Sequence, residues 1–325
     1  MNRRALLTGA LASGVLAACG RPETGTAGGA DPAHPAVVPA QAERVLAAVD
    51  TTLDRAFAAR NPRLLGARAT GPAARTLTAR LAVAGKLGRT VAAPAPLVLR
   101  RLVLPASGGW PRWFLAAGEV TGQPTPVVRV LRSLGAREPF GLWGELMLLP
   151  GASMPGLASP QTGTPVLAPD GAQGLVLPPA EVLTQYAKAL TTTAPGSQAQ
   201  GFALDQFREQ IAGQLAADRR TLGRIANVDT VHRPSADGLL ALRTADGGAL
   251  VVAALEQLYK VRVRKPGSGV VTLDTDLAAL AGVPRVGHAL QRTSVELLAF
   301  QVPPAGKGQV RLVAAAKGDV SAVGS

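Results

Sequence analysis

One cysteine, Cys19, stands at the end of an apolar run that opens the chain, and its position constrains everything after it. Arg3 and Arg4 are followed by Ala5 to Ala18, a stretch of apolar and small residues that ends at Cys19. A charged start, a short apolar segment and small residues at its end have the form of a secretory signal. The run is too short to span a membrane, which takes about 20 apolar residues as helix. With no second cysteine in the 325 residues, no disulfide can form within the chain. The body must therefore hold itself by packing alone.

Leu16-Ala17-Ala18-Cys19 resembles the bacterial lipobox. That resemblance implies a diacylglycerol on the Cys19 thiol and cleavage that leaves Cys19 as the first residue. Acyl chains contribute about 0.8 kcal/mol per buried methylene, and two chains anchor stably. Arg3-Arg4 ahead of Leu6-Leu7 also resembles a twin-arginine signal. The general secretory route needs only the positive charge and remains equally open.

Hydrophobic residues make up 47% of the chain and charged residues 17%, enough for substantial cores. Aromatics are only 3%, so alanine and valine must fill much of the interior. The formal charge is +13; Arg3 and Arg4 carry two of these, leaving +11 on the remainder. Such a surface is drawn to anionic headgroups or wall polymers within about 8 Å at physiological salt. Nucleic acid is a poor partner, because an export signal precedes the body and no aromatics interleave with the basic residues.

Residues 20–35 are polar and rich in proline and glycine, a tether spanning ~24 Å as a flexible coil. Val45, Leu46, Val49, Leu53 and Phe57 recur at helical spacing, Asn61-Pro62 opens a short helix, and Thr70-Gly71-Pro72 opens another. Segments 97–104, 113–120, 125–133 and 140–149 then read as a meander of strands. A second proline- and glycine-rich stretch, 151–177, is read as a linker. Helices are expected from Pro178-Pro179 and over 205–222, then strands over 238–244, 249–258, 259–264, 270–273, 288–302 and 309–316. The order of elements thus repeats. The expected organisation is a signal (1–18), lipidated Cys19 and tether (19–35), and two tandem α+β domains (36–150 and 178–325) about the linker.

Helices followed by a curved meander resemble the cone-shaped fold of the nuclear transport factor 2 and cystatin-like superfamily. The lipobox, the Trp110-Pro111-Arg112-Trp113-Phe114 segment, Leu142-Trp143 and the tandem layout resemble an uncharacterised family of actinobacterial lipoproteins. That family implies no activity that can be carried onto particular residues, and the superfold hosts enzymes, binders and assembly domains alike.

No catalytic set emerges from the sequence. His34, His232 and His288 have no ligand-spaced partners, so no metal site or cofactor is expected. Asp50 and Asp54, one turn apart, read as a solvated helix face. Asp274-Thr275-Asp276 reads as a helix cap before 277–281. Two features remain. Trp113, Trp143 and Glu145 lie on the expected first sheet and are candidates to line a cavity on its concave side. Strand alternation puts Lys260, Arg262 and Arg264 on one face, continued by Lys265, as a candidate surface for anionic lipid or wall polymer. The leading expectation is a non-enzymatic envelope lipoprotein, held to the outer face of the membrane through Cys19, that binds a partner protein or an apolar ligand. A cavity-based hydrolase or transferase using carboxylates, and an electrostatic adaptor to wall polymers or headgroups, are the alternatives.

Overall fold

The computed structural model describes Pro35 and residues 37–325, apart from 173, 193–198, 266 and 268. Arg3, Arg4 and Cys19 lie outside the described residues. Helix α1 (Pro39–Ala58), a 3-10 turn (Pro62–Arg68) and α2 (Gly71–Lys86) precede strands β1 (Leu97–Val103), β2 (Pro105–Ala106), β3 (Arg112–Val120), β4 (Val127–Ser133) and β5 (Gly141–Leu148). Strand β6 (Thr164–Pro165) follows, then helices α3 (Pro179–Thr192) and α4 (Gln206–Leu222). The chain continues through β7 (Ala226–Arg243), β8 (Ala249–Val263), β9 (Val271–Thr272), α5 (Thr275–Ala281), β10 (Arg285–Val286), β11 (Ala289–Val302) and β12 (Arg311–Gly324).

Short-range chemistry sets the helix starts. Asn61 accepts a hydrogen bond from the Arg63 amide, Asp205 from Arg208 and Asp274 from Leu277, at 3.0, 2.7 and 2.9 Å. Each satisfies an amide that the first helical turn leaves without a partner. Helix α5 ends as expected at Gly282, whose φ of 76° suits a residue without Cβ.

The eight long strands form one antiparallel sheet in the order β1-β3-β4-β5-β12-β11-β8-β7. Counted outward from the seam, each half gives its strands in reverse chain order, β5-β4-β3-β1 on one side and β12-β11-β8-β7 on the other. The sheet thus consists of two sets of four strands joined through the last strand of each. The seam is short: Met147 faces Ala315 and Leu148 faces Ala314. It is also tight, because a Cβ on Gly144 would lie 2.1 Å from Leu297 Cδ2.

Three large cores follow from this. Leu46, Val49, Leu53 and Phe57 of α1 and Leu77 and Leu81 of α2 pack on Phe114, Ala116, Leu131 and Leu142. Val182, Tyr186 and Leu190 of α3 pack with Phe207 and Ile211 of α4 on Val251, Ala253, Leu255, Leu298 and Phe300. The third core gathers side chains from all eight long strands, with Leu115, Val130 and Trp143 of one half meeting Leu250, Val252 and Leu297 of the other. In β8, successive residues Leu250 to Leu255 alternate between the last two cores, so both faces of that strand are buried. The described residues accordingly belong to one compact unit. The segment read as a linker lies along both halves: the Thr164 amide donates to Leu104 and the Leu167 amide to Ala241.

Candidate functional site

A cleft of about 430 Å3 opens beside the seam, between α2, β5, the seam strands β11 and β12, and α5. Its size falls within the range of small-molecule sites, roughly 300–1,000 Å3. Leu77, Leu142, Leu280 and Leu297 give it apolar walls, and Arg80, Glu145, Lys317 and Asp319 bring charge to it. Its walls come from both halves, from α2 and β5 on one side and from α5, β11 and β12 on the other.

The charged residues are held unequally. Glu145 receives a hydrogen bond from Arg129 Nε at 2.7 Å. The Arg129 side chain is wholly buried, and it also donates to Asp50 at 2.6 Å and to the Ala95 carbonyl at 2.7 Å. Asp50 is thus turned inward to this guanidinium and does not form the solvated face expected of it; Asp54 does remain exposed. Asp319 accepts from the Ser294 hydroxyl at 2.5 Å, with Arg292 at 3.7 Å. Arg80 donates to the Ala92 carbonyl and lies over the Phe57 ring. Burial pulls the Arg80 guanidinium below its ordinary pKa, against the opposing pull of Glu145. The Lys317 ammonium is pulled down in the same way, with Glu296 opposing.

Behind Lys317 lies a polar layer, between the α3/α4 core and a lower core built on Val228, Tyr259 and Val261. His232 Nδ1 and Glu296 Oε2 are 2.8 Å apart, and both side chains are fully buried. The second oxygen of Glu296 has no hydrogen-bond partner, and Lys317 Nζ stands 3.8 Å from it. Thr230 and Gln257 border the other imidazole nitrogen at 3.4 and 3.5 Å. Nearby, Tyr259 donates to Asp218 at 2.9 Å, and burial followed by that carboxylate pushes its hydroxyl well above the ordinary pKa.

Of the residues singled out in the sequence, Glu145 borders the cleft. Trp113 and Trp143 lie in the core shared by the two halves, 5% and 1% exposed. Lys260, Arg262, Arg264 and Lys265 are exposed, and Val261 and Val263 between them are buried. Asp229 sits opposite Lys260 on β7. The sequence reading missed Arg80, Lys317 and the His232–Glu296 pair. The one available signal was a lone acid inside the apolar run Val295-Glu296-Leu297-Leu298. Two further carboxylates are displaced. Burial pushes Glu256 up, but hydrogen bonds from Arg233 and Arg75 more than reverse it, leaving it below the ordinary range. The Thr244 hydroxyl and the Gly248 amide lower Asp246. Among the described residues no group of three His, Cys, Asp or Glu side chains is placed to hold a metal, and no helix is long and apolar enough to cross a membrane.

The fold and cleft define an α+β protein built on a single eight-stranded antiparallel sheet, with a ligand-sized cavity where its halves meet. The chain belongs to the family described as a domain of unknown function, DUF8094, whose model matches residues 33–324. It is 28% identical over 290 residues to an uncharacterised lipoprotein of Streptomyces avermitilis, covering 86% of this chain and 82% of the relative. It is 26% identical over 299 residues to another from Streptomyces coelicolor, covering 89% and 87%. No solved structure matches the chain.

Proposed function

We propose that this protein is an extracytoplasmic lipoprotein, anchored through Cys19 to the outer face of the cell membrane, that binds an apolar ligand without transforming it. In this reading each half is one cone of the nuclear transport factor 2 and cystatin-like kind, and the ligand lies between them. The lipobox residues and the lipoprotein relatives support the anchor. The observation that carries the binding role is the 430 Å3 cleft with leucine walls from both halves. Leu280, half-buried on α5, offers a way to fill it. A neutral fluorophore such as N-phenyl-1-naphthylamine is expected to bind the full chain carrying Cys19→Ala saturably at one site. Leu280→Trp is expected to weaken that binding about ten-fold or more, the equivalent of ~1.4 kcal/mol. Equal fluorescence titrations for the two proteins would reject the cleft as the site.

The exposed alternation of Lys260, Arg262 and Arg264 supports a second reading, in which this end of the sheet rests on anionic headgroups or wall polymer. Each basic residue near an anionic surface contributes about 1 kcal/mol, and the attraction is screened by salt. Sedimentation with vesicles is expected to require an anionic lipid, to fall steeply with salt, and to fall again in the Lys260→Gln/Arg262→Gln variant. Binding indifferent to salt would remove this reading.

A further inference from the structure

We propose that the occupant of the cleft is a single-chain amphiphile with one anionic head, a carboxylate or a phosphate, held between Arg80 and Lys317. This rests on the cleft being the ligand site and adds the chemistry of what fills it. The acids around the cavity are already engaged. Glu145 is held by Arg129, and Asp319 by Ser294 and Arg292. At the rim Asp276 pairs with Arg89 at 2.5 Å, while the Asp274 carboxylate caps α5. Among the described residues, the two remaining cations have no carboxylate oxygen within hydrogen-bond distance. Arg80 donates to a backbone carbonyl, that of Ala92, at 2.9 Å. The nearest carboxylate oxygen to Lys317 belongs to Glu296, at 3.8 Å and so beyond a hydrogen bond, and the other oxygen of Glu296 is committed to His232.

Both cations keep an exposed part, and an anion seated between them gives each a counterion closer than any carboxylate the protein supplies. Guanidinium presents a fork that fits the paired oxygens of a carboxylate or phosphate, and ammonium adds a compact point charge. The leucine walls then take the chain. The 430 Å3 volume suits a head with one medium-length chain.

Four probes sharing a dodecyl chain separate the possibilities: dodecanoate, dodecyl phosphate, dodecanol and dodecyltrimethylammonium, each titrated calorimetrically below its aggregation limit into the full chain carrying Cys19→Ala. Dodecanoate or dodecyl phosphate is expected to bind roughly ten-fold tighter than dodecanol, with the ammonium weakest. Whichever of the two anions binds tighter indicates whether a free acid or a phosphate ester is the source, and either ranking supports the proposal. Arg80→Gln and Lys317→Gln are each expected to erase the anionic advantage and leave dodecanol binding unchanged. Arg80 is exposed on α2, so its variant tests the assignment even if the Lys317 variant unfolds. Dodecanol binding as tightly as dodecanoate, or the ammonium binding tighter than either anion, would overturn the anionic head while leaving the cleft intact. Failure of all four probes, or binding indifferent to Leu280→Trp, would instead remove the cleft reading itself.

Discussion

Replacing His232 with leucine is expected to destabilise the protein by about 3–5 kcal/mol, the cost of leaving a buried charge without its partner. The imidazole is the close hydrogen-bond partner of Glu296, at 2.8 Å, and neither side chain reaches solvent. Without it the carboxylate keeps only an ammonium at 3.8 Å, with one oxygen already lacking a hydrogen bond. At ~2–4 °C per kcal/mol for large domains, the thermal midpoint should fall by about 6–20 °C, measurable by calorimetry. A second substitution, Glu296→Met, removes the stranded charge and fills its volume with apolar atoms. The double variant should recover most of the loss, because well-packed apolar replacements of buried pairs are often neutral or better. Additive losses would mean that the two side chains do not act as a pair, and an unchanged midpoint in the single variant would mean that the carboxylate is not stranded.

That pair explains much of what the sequence concealed. Helix starts were legible because they depend on neighbours: Asn61, Asp205 and Asp274 cap amides two or three residues away. The alternation of charged and apolar residues at the end of β8 was legible for the same reason, since period two shows directly in Lys260 to Arg264. The first part of β7 was not. Its inward positions Ala226, Val228, Thr230 and His232 become progressively more polar, and Pro234 interrupts the register before Leu239 resumes it. Those polar residues make sense only across the sheet. His232 lies opposite Gln257 of β8, while Glu296 of β11 lies opposite Leu255, so the pair bridges three strands and 64 residues. The same limit applies to the cleft. Each half visibly runs helices and then strands, but nothing local declares that β5 meets β12, a contact of two residue pairs. Trp113 and Trp143 drew attention as large aromatics in an alanine- and valine-rich chain. Both are buried in the core shared by the two halves, where large aromatic side chains bury much apolar area.

Arg129 should matter nearly as much as His232, and its loss should reach the cleft. Its guanidinium is fully buried and ties α1 through Asp50, β5 through Glu145, and the loop before β1 through the Ala95 carbonyl. Arg129→Met removes three directional bonds and leaves two carboxylates behind. Because Asp50 and Glu145 keep 16% and 31% exposure, water softens the loss, and about 3 kcal/mol is expected, the low end for a broken buried pair. Arg129→Lys should restore only part of this, since one ammonium cannot reproduce a fork aimed at three acceptors. The functional consequence is separable from stability. Released from Arg129, Glu145 becomes an uncommitted anion at the cleft wall, able to compete for Arg80. Dodecanoate binding should then weaken in Arg129→Met at temperatures where the variant is still folded, while dodecanol binding persists. Adding Glu145→Gln removes the competing charge and should restore dodecanoate binding without restoring the thermal midpoint. If dodecanoate affinity instead follows stability in all three proteins, the link from Arg129 through Glu145 to the cleft is absent and Arg129 is a purely structural tie.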